Sequence, residues 1–414
     1  MTRLYTPAMA NLEKIRPDIA LHDGLHCSFC GREPAEGSDL IGASDVFICD
    51  ECVATCNDLI TDDARDESAV EEPDEQTAGS NLAAQQTFFR LLTDADVAAL
   101  LPMDTLIDAM EGALRRFSTG EPGSVVQPVR TVIAAGNEYF GVMPAYVRNP
   151  AVLGAKLVTV FSGNAAIDLP THLATVLLFS PETGALLAVL GGGYLTAART
   201  AAVSAVSASL LARDDASRVA IIGSGVQARS HLQALERLFE LSDVRVWSPT
   251  PEHQAAFLEE MESTTSARLI GSDSAELACL AADIVVLATS STEPVVQSEW
   301  IKAGAHVISV GACRPDQREM DPALVLRGRV FVDSRAAALV ESGDIVMGIQ
   351  EHRFTPSHIV GEVGELLEGK VEGRRSPRDV TIFKSLGMAV EDVVAADLAY
   401  RRAVVQDMGR ELEL

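Results

Sequence analysis

Arg218-Val-Ala-Ile-Ile-Gly-Ser-Gly-Val-Gln-Ala228 is the stretch that decides the fold. Four apolar residues after Arg218 read as a strand running into G-x-G-x-x-A. In such a pattern Gly223 permits a tight turn, Gly225 lets the backbone approach a pyrophosphate, and Ala228 allows close packing of helix on strand. The helix that begins at Val226 and Gln227 turns its positive end toward phosphate oxygens. A glycine-rich turn alone is also found in purely structural loops. Here a strand, a helix over 226–239 and a second strand over 244–247 follow in the order that a dinucleotide site requires. NAD enzymes place Asp or Glu about 20 residues further on, to hold the ribose 2′-hydroxyl. This chain has Ser248-Pro249-Thr250 there, with no carboxylate to repel a 2′-phosphate, two hydroxyls that can donate to it and no adjacent Arg. The reading favours NADP(H) over NAD(H).

Working outward, apolar strands over 284–289, 306–310 and 330–332 alternate with helical stretches such as 251–263. Strands spaced by helices predict an α/β chain with a doubly wound parallel sheet, a Rossmann domain over 213–344. Upstream, 124–134 and 153–161 read as Val- and Ile-rich strands. Segments 173–179 and 186–190 flank Pro181-Glu182-Thr183-Gly184 and read as a hairpin. Helices are expected over 195–211 and 387–403.

The chain has 414 residues, enough for two or three domains, and carries 33 basic against 59 acidic side chains, a formal charge of −26. That balance speaks against a nucleic-acid partner, because phosphate contacts need clustered Lys and Arg. No apolar run of 18 residues predicts a membrane span, and residues 1–26 lack the apolar core of an export signal. The expected compartment is the cytoplasm. Five of the seven cysteines fall between Cys27 and Cys56. Cys27-x-x-Cys30 and Cys49-x-x-Cys52, 18 residues apart, have the spacing of a tetrahedral structural Zn²⁺ site, rather than of an iron–sulfur cluster or disulfides. Cys56 reads as a small buried hydrophobe. From Thr61 to Glu75 there are eight acidic residues and one Arg, so 61–87 reads as a flexible acidic linker.

Three cations upstream of the fingerprint suit a small carboxylate: Arg130, Lys156 and Arg199. Arg199 lies on a mostly apolar helix, where a cation needs a partner, and its fork matches a carboxylate in bidentate fashion. Each of the three is equally at home in a structural ion pair.

The wording around these residues is more specific. Cys27-Ser-Phe-Cys-Gly31 and Ile48-Cys-Asp-Glu-Cys-Val53 resemble the N-terminal zinc-binding domain of ClpX-type unfoldases, over 27–60 only. That resemblance implies dimerisation or recruitment of a protein partner. Val126-Gln-Pro-Val-Arg-Thr131, Gly141-Val-Met-Pro-Ala-Tyr146, Lys156-Leu-Val158, Thr200-Ala-Ala-Val-Ser-Ala205 and Phe383-Lys-Ser-Leu-Gly-Met-Ala-Val-Glu-Asp392 resemble the ornithine cyclodeaminase/mu-crystallin family. The resemblance implies a homodimer whose substrate-binding and dimerisation domain is built from 88–212 and 345–410. It implies that Arg130, Lys156 and Arg199 hold a substrate carboxylate, with Lys156 near the reacting nitrogen and His172 and Glu362 also at the ligand. Thr200, Thr289, Gly311 and Ser385 would join Gly223, Gly225, Val226, Gln227, Ser248 and Thr250 around the cofactor. Cyclodeaminases carry an Asp after the strand that ends at Val310, and Cys313 stands there instead. A thiol does not replace a carboxylate base, so the chain is similar to the ketimine reductases of the family. The expected reaction is NAD(P)H-dependent reduction of a C=N bond beside a carboxylate in a small imino acid. The alternatives are an ornithine cyclodeaminase, an amino-acid dehydrogenase or a protein that only binds a small ligand.

Overall fold

The computed structural model describes residues 13–15, 27, 40–43, 46–49, 52–53 and 87–414, apart from 119–120, 122 and 168. The chain forms two compact units, 1–85 and 86–414. In the first, the strands Glu13–Ile15, Leu40–Ala43 and Val46–Cys49 make a small antiparallel sheet. Cys30, Cys56 and residues 61–86 of the expected linker lie outside the described residues.

The second unit holds two eight-stranded sheets. One is parallel throughout, in the order Arg268–Gly271, Asp243–Trp247, Arg218–Ile222, Ile284–Leu287, His306–Ser309, Thr381–Lys384, Arg329–Val332, Ile359–Glu362. The first five strands have the doubly wound order, which reverses between Arg218–Ile222 and Ile284–Leu287 and opens a crevice at their carboxyl ends. This corrects the expected domain limits. Strands Ile359–Glu362 and Thr381–Lys384, assigned from sequence to the substrate domain, extend the nucleotide sheet instead. Thr381–Lys384 slots between two strands that precede it in sequence, pairing Val330 and Val307 with Ile382.

The other sheet is mixed and mainly antiparallel, with Glu138–Val147, Val152–Val160 and His172–Phe179 at its centre. The single strand expected over 124–134 is split into Val125–Val126 and Thr131–Ala135, since Pro128 has no N–H for the ladder. Side chains of Val152–Val160 alternate between faces. Gly154, Lys156 and Val158 are buried, and a Cβ on Gly154 would touch Val393 of the helix Ala389–Gln406 packed on that face. Leu153, Ala155 and Leu157 point the other way and stay partly exposed. Their cross-strand partners Tyr146, Pro144 and Val142, and Phe179, Leu177 and Thr175, extend this second face as a broad apolar surface.

The helix Gly192–Leu211 joins the two halves. Sixteen of its twenty residues are buried, so every side is covered, and its run of Ala and Ser lets neighbouring elements approach closely. It packs on the helix Val226–Leu235, on the helix Met103–Ser118 and on both sheets.

Candidate active site

At the turn after Arg218–Ile222, Gly223 has φ of +114° and its N–H bonds the Trp247 carbonyl at 2.8 Å. A Cβ there would run into the Ala288 carbonyl, so only glycine fits. Gly225 caps the helix Val226–Leu235, and a Cβ on it would meet nothing within 4 Å. The protein's own packing does not demand this glycine, and the open space in front of the helix N-terminus fits a pyrophosphate. Ala228 is fully buried against the strand. Ser248 and Thr250 stand at the end of Asp243–Trp247, as the sequence requires. Arg229, the residue after Ala228, bonds the Ser224 and Gly225 carbonyls through its guanidinium while pairing with Glu260.

A cavity of about 900 Å³ opens beside this turn. The loops after the parallel strands contribute Thr289, Gly311, Cys313 and Ser385. The mixed sheet and its edge contribute Arg130, Lys156 and His172, and the two helices contribute Arg199, Thr200 and Gln227. Nine residues expected at the substrate or cofactor therefore line one space: Arg130, Lys156, His172, Arg199, Thr200, Gln227, Thr289, Gly311 and Ser385.

The cations of this cavity are held by acids that sequence reasoning did not assign. Lys156 is almost fully buried between Met143 and Val176 of the flanking strands, and its Nζ lies 2.8 Å from Asp392 Oδ2. Burial lowers its pKa to about 8; Asp392 opposes that fall, whereas Arg199 and Arg130 add to it. Arg199 donates through Nε to Asp392 Oδ1 at 2.8 Å and through Nη1 to Glu391 Oε2 at 2.5 Å. Its Nη2 has no acceptor among the described residues. This corrects the expectation of a bidentate fork for substrate. A buried cation must be neutralised by the fold itself, and two of the donor positions are used in doing so. Burial raises the Glu391 pKa to about 7 against the pull of Arg199. Arg130 pairs with Glu341 at 2.9 Å and its Nη2 bonds the Leu386 and Gly387 carbonyls. The same loop is held from beneath by Asp333, which accepts from the N–H groups of Leu386 and Gly387.

His172 lines the cavity and keeps part of its surface exposed, while its ring is partly desolvated by the cavity walls. That desolvation, followed by the charges of Lys156 and Arg199, lowers its pKa to about 4, so the ring is neutral at pH 7. Burial raises the Cys313 thiol pKa, and its Sγ lies 3.1 Å from the Val310 carbonyl. It is a neutral thiol where a cyclodeaminase has a carboxylate.

Glu362 does not line this cavity. It caps the helix Val363–Leu367 in a capping box with Glu365, and accepts from the Ser118 hydroxyl and the Arg335 N–H. Glu341, Glu391 and Asp392 are the acids that the sequence reading missed. The signal that could have found them was the need of Arg199 for a partner, because Glu391-Asp392 ends a segment already matched to the family.

In the other unit, the sulfur atoms of Cys27, Cys49 and Cys52 lie within 4.8 Å of one another. Three thiols gathered that closely fit a thiolate metal site of the expected kind.

Comparison with known proteins agrees with both parts. The profile of the ornithine cyclodeaminase/mu-crystallin family matches residues 89–407, and that of the ClpX C4-type zinc finger matches 25–62. Ketimine reductase mu-crystallin of Mus musculus is 42% identical over 297 residues, 71% of this chain and 91% of its own length. The solved structure of Thermococcus litoralis Δ¹-pyrroline-2-carboxylate reductase, in complex with NADH and L-proline, superposes with a TM-score of 0.76 at 36% identity. It covers 78% of this chain and 99% of its own. An archaeal alanine dehydrogenase dimer with bound NAD gives 0.74 at 30% identity, over 78% and 99%. The chain belongs to the ornithine cyclodeaminase/mu-crystallin family.

Proposed function

We propose that this chain is an NAD(P)H-dependent reductase of a C=N bond next to a carboxylate, in a cyclic ketimine or in the imine of a 2-oxo acid and an amine. The observation that carries the reading is the single cavity shared by Lys156 and Arg199 and the loops beside the fingerprint turn. When bound, reduced nicotinamide supplies the hydride. The protein supplies orientation and charge. Arg199 Nη2, which has no acceptor among the described residues, takes a carboxylate oxygen. Arg130, locked by Glu341 and the Leu386 and Gly387 carbonyls, adds positive potential rather than a full fork. Lys156, with its pKa lowered to about 8, holds a proton near neutrality and faces the reacting nitrogen. His172 contributes a neutral ring to the ligand wall. Cys313 provides no base for attack by water, which favours reduction over cyclodeamination.

The remaining features of the proposal have their own support. NADP(H) is favoured by Ser248 and Thr250 in place of an acid, with Arg229 near the turn. A homodimer is supported by the apolar face around Leu153, Leu157, Leu177 and Phe179 and by the exposed edge residues Val132 and Ile133. Zinc held by Cys27, Cys30, Cys49 and Cys52 would fold a module that recruits a protein partner. Cytoplasmic placement suits such thiolates. No helix among the described residues is long and apolar enough to cross a membrane.

The test is cofactor oxidation across a panel of cyclic ketimines and oxo-acid/amine pairs, run beside ornithine. Stoichiometric proline and ammonia from ornithine, without net cofactor turnover, would overturn the proposal in favour of a cyclodeaminase.

A further inference from the structure

The loops that follow Ile284–Leu287 and His306–Ser309 line the cavity through Thr289 and Gly311. Neither loop has regular structure of its own. Both are tied to one side chain. Glu319 is fully buried, and five donors converge on its two oxygens. Oε1 accepts from the Thr289 N–H at 2.7 Å and the Thr289 hydroxyl at 3.0 Å. Oε2 accepts from the Ser309 hydroxyl at 2.9 Å and the N–H groups of Gly311 and Ala312 at 2.9 and 3.1 Å. The carboxylate thus spans the gap between two adjacent loops. Gly311 has no side chain because a Cβ there would run into the Thr289 carbonyl and this carboxylate.

The clamp has its own base. The N–H groups of Glu319 and Met320 donate to Asp344 Oδ1, both at 2.9 Å. Lys384, on the strand inserted beside His306–Ser309, reaches the Ser309 hydroxyl at 3.0 Å and Asp344 Oδ2 at 3.5 Å. All three charged residues are essentially without solvent exposure. Burying two acids and a lysine costs desolvation that an apolar cluster of the same size would avoid, so stability alone does not account for the arrangement. A carboxylate is also the side chain that suits a set of donors converging from two sides, since both oxygens accept and neither carries a hydrogen.

We infer that Glu319 is a positioning residue of the cofactor site, holding the Thr289 and Gly311 loops at the spacing that admits the nicotinamide half of the cofactor. The inference rests on the proposed nicotinamide-dependent activity. Glu319→Gln turns one oxygen into an NH₂ group facing donors, which releases one of the two loops. Ser309→Ala removes a single donor at little cost in volume and keeps the test usable if the first variant fails to fold.

Both full-length variants are compared with wild type in three measurements: NADPH titration by fluorescence, thermal midpoint without cofactor, and amide hydrogen exchange at 288–291 and 310–313. Glu319→Gln is expected to weaken NADPH binding at least tenfold and Ser309→Ala a few-fold. Exchange should rise in one of the two loops of Glu319→Gln, and the KM for the imine should change less than twofold. A merely structural role would lower the midpoint and leave NADPH affinity and loop exchange in the folded variants unchanged; that result overturns the clamp. A wild type that binds neither NADPH nor NADH would instead overturn the proposed activity, while loop exchange without cofactor still decides the clamp.

Discussion

Asp392 bridges the two deepest cations of the cavity, and replacing it isolates what sets their charge. Asp392→Asn keeps the shape and removes the negative charge that sits 2.8 Å from Lys156 Nζ and 2.8 Å from Arg199 Nε. Coulomb's law with an effective dielectric of about 20 gives roughly 6 kcal/mol for a pair at that separation, equivalent to a pKa change of about four. Relaxation and water entry reduce this, so we expect the Lys156 pKa to fall by about one or more from its value of about 8. The sign is set by the groups around it. Burial, Arg199 and Arg130 all lower this pKa, and Asp392 is what opposes them. If protonated Lys156 serves the reacting nitrogen, kcat/KM of wild type falls as pH rises through about 8. In the variant that limb moves to lower pH, and turnover at pH 7 drops while turnover near pH 6 is better preserved. The assay is NADPH oxidation with a cyclic ketimine across pH 6–10, alongside a thermal melt to show that the variant is folded. A basic limb at the wild-type position, or moved upward, would refute the argument that Asp392 holds the charge on Lys156.

Lys156→Met should lower kcat by roughly thirty- to a thousandfold with a smaller change in substrate KM, the pattern of a contact made chiefly in the transition state; steady-state kinetics check it, and an effect confined to KM counts against the assigned role. Ser248→Asp places a carboxylate where a 2′-phosphate would lie and should shift preference toward NADH; a wild type that already prefers NADH about tenfold defeats the reading of this strand end. Deleting residues 1–80 should leave imine reduction within a few-fold, because every described residue that lines the cavity lies in the unit 86–414. A folded truncation that loses about a hundredfold or more would show that the cysteine module takes part in the chemistry.

The legible part of this protein was carried by short-range chemistry. Gly223, Gly225 and Ala228 announce the turn because the three fall at a fixed spacing within one short segment that joins a strand to a helix. The Val- and Ile-rich strand of 153–161 and the break at Pro181-Glu182-Thr183-Gly184 likewise follow from neighbours along the chain, and the hairpin Leu173–Phe179 with Leu186–Leu190 pairs as expected. The cysteine spacing belongs to the same class. The cations of the site could be picked out by residue type, and the family match lent them a common purpose.

What stayed out of reach depends on elements distant in sequence. Nothing local to Thr381–Lys384 states that it inserts between His306–Ser309 and Arg329–Val332, since propensity marks a strand without naming its partners. Glu362 looked like a ligand residue until the helix it caps and the Ser118 and Arg335 groups it accepts from were in place. The partner that Arg199 needs could not be named from the sequence, because its neutralising acids lie 192 and 193 positions away. The sequence by itself determined the nucleotide turn, the cysteine site's spacing and the kinds of charge available. Only the tertiary structure decided which charges meet, because the penalty for burying an ion, and hence the need for a particular partner, arises only when packing removes the water.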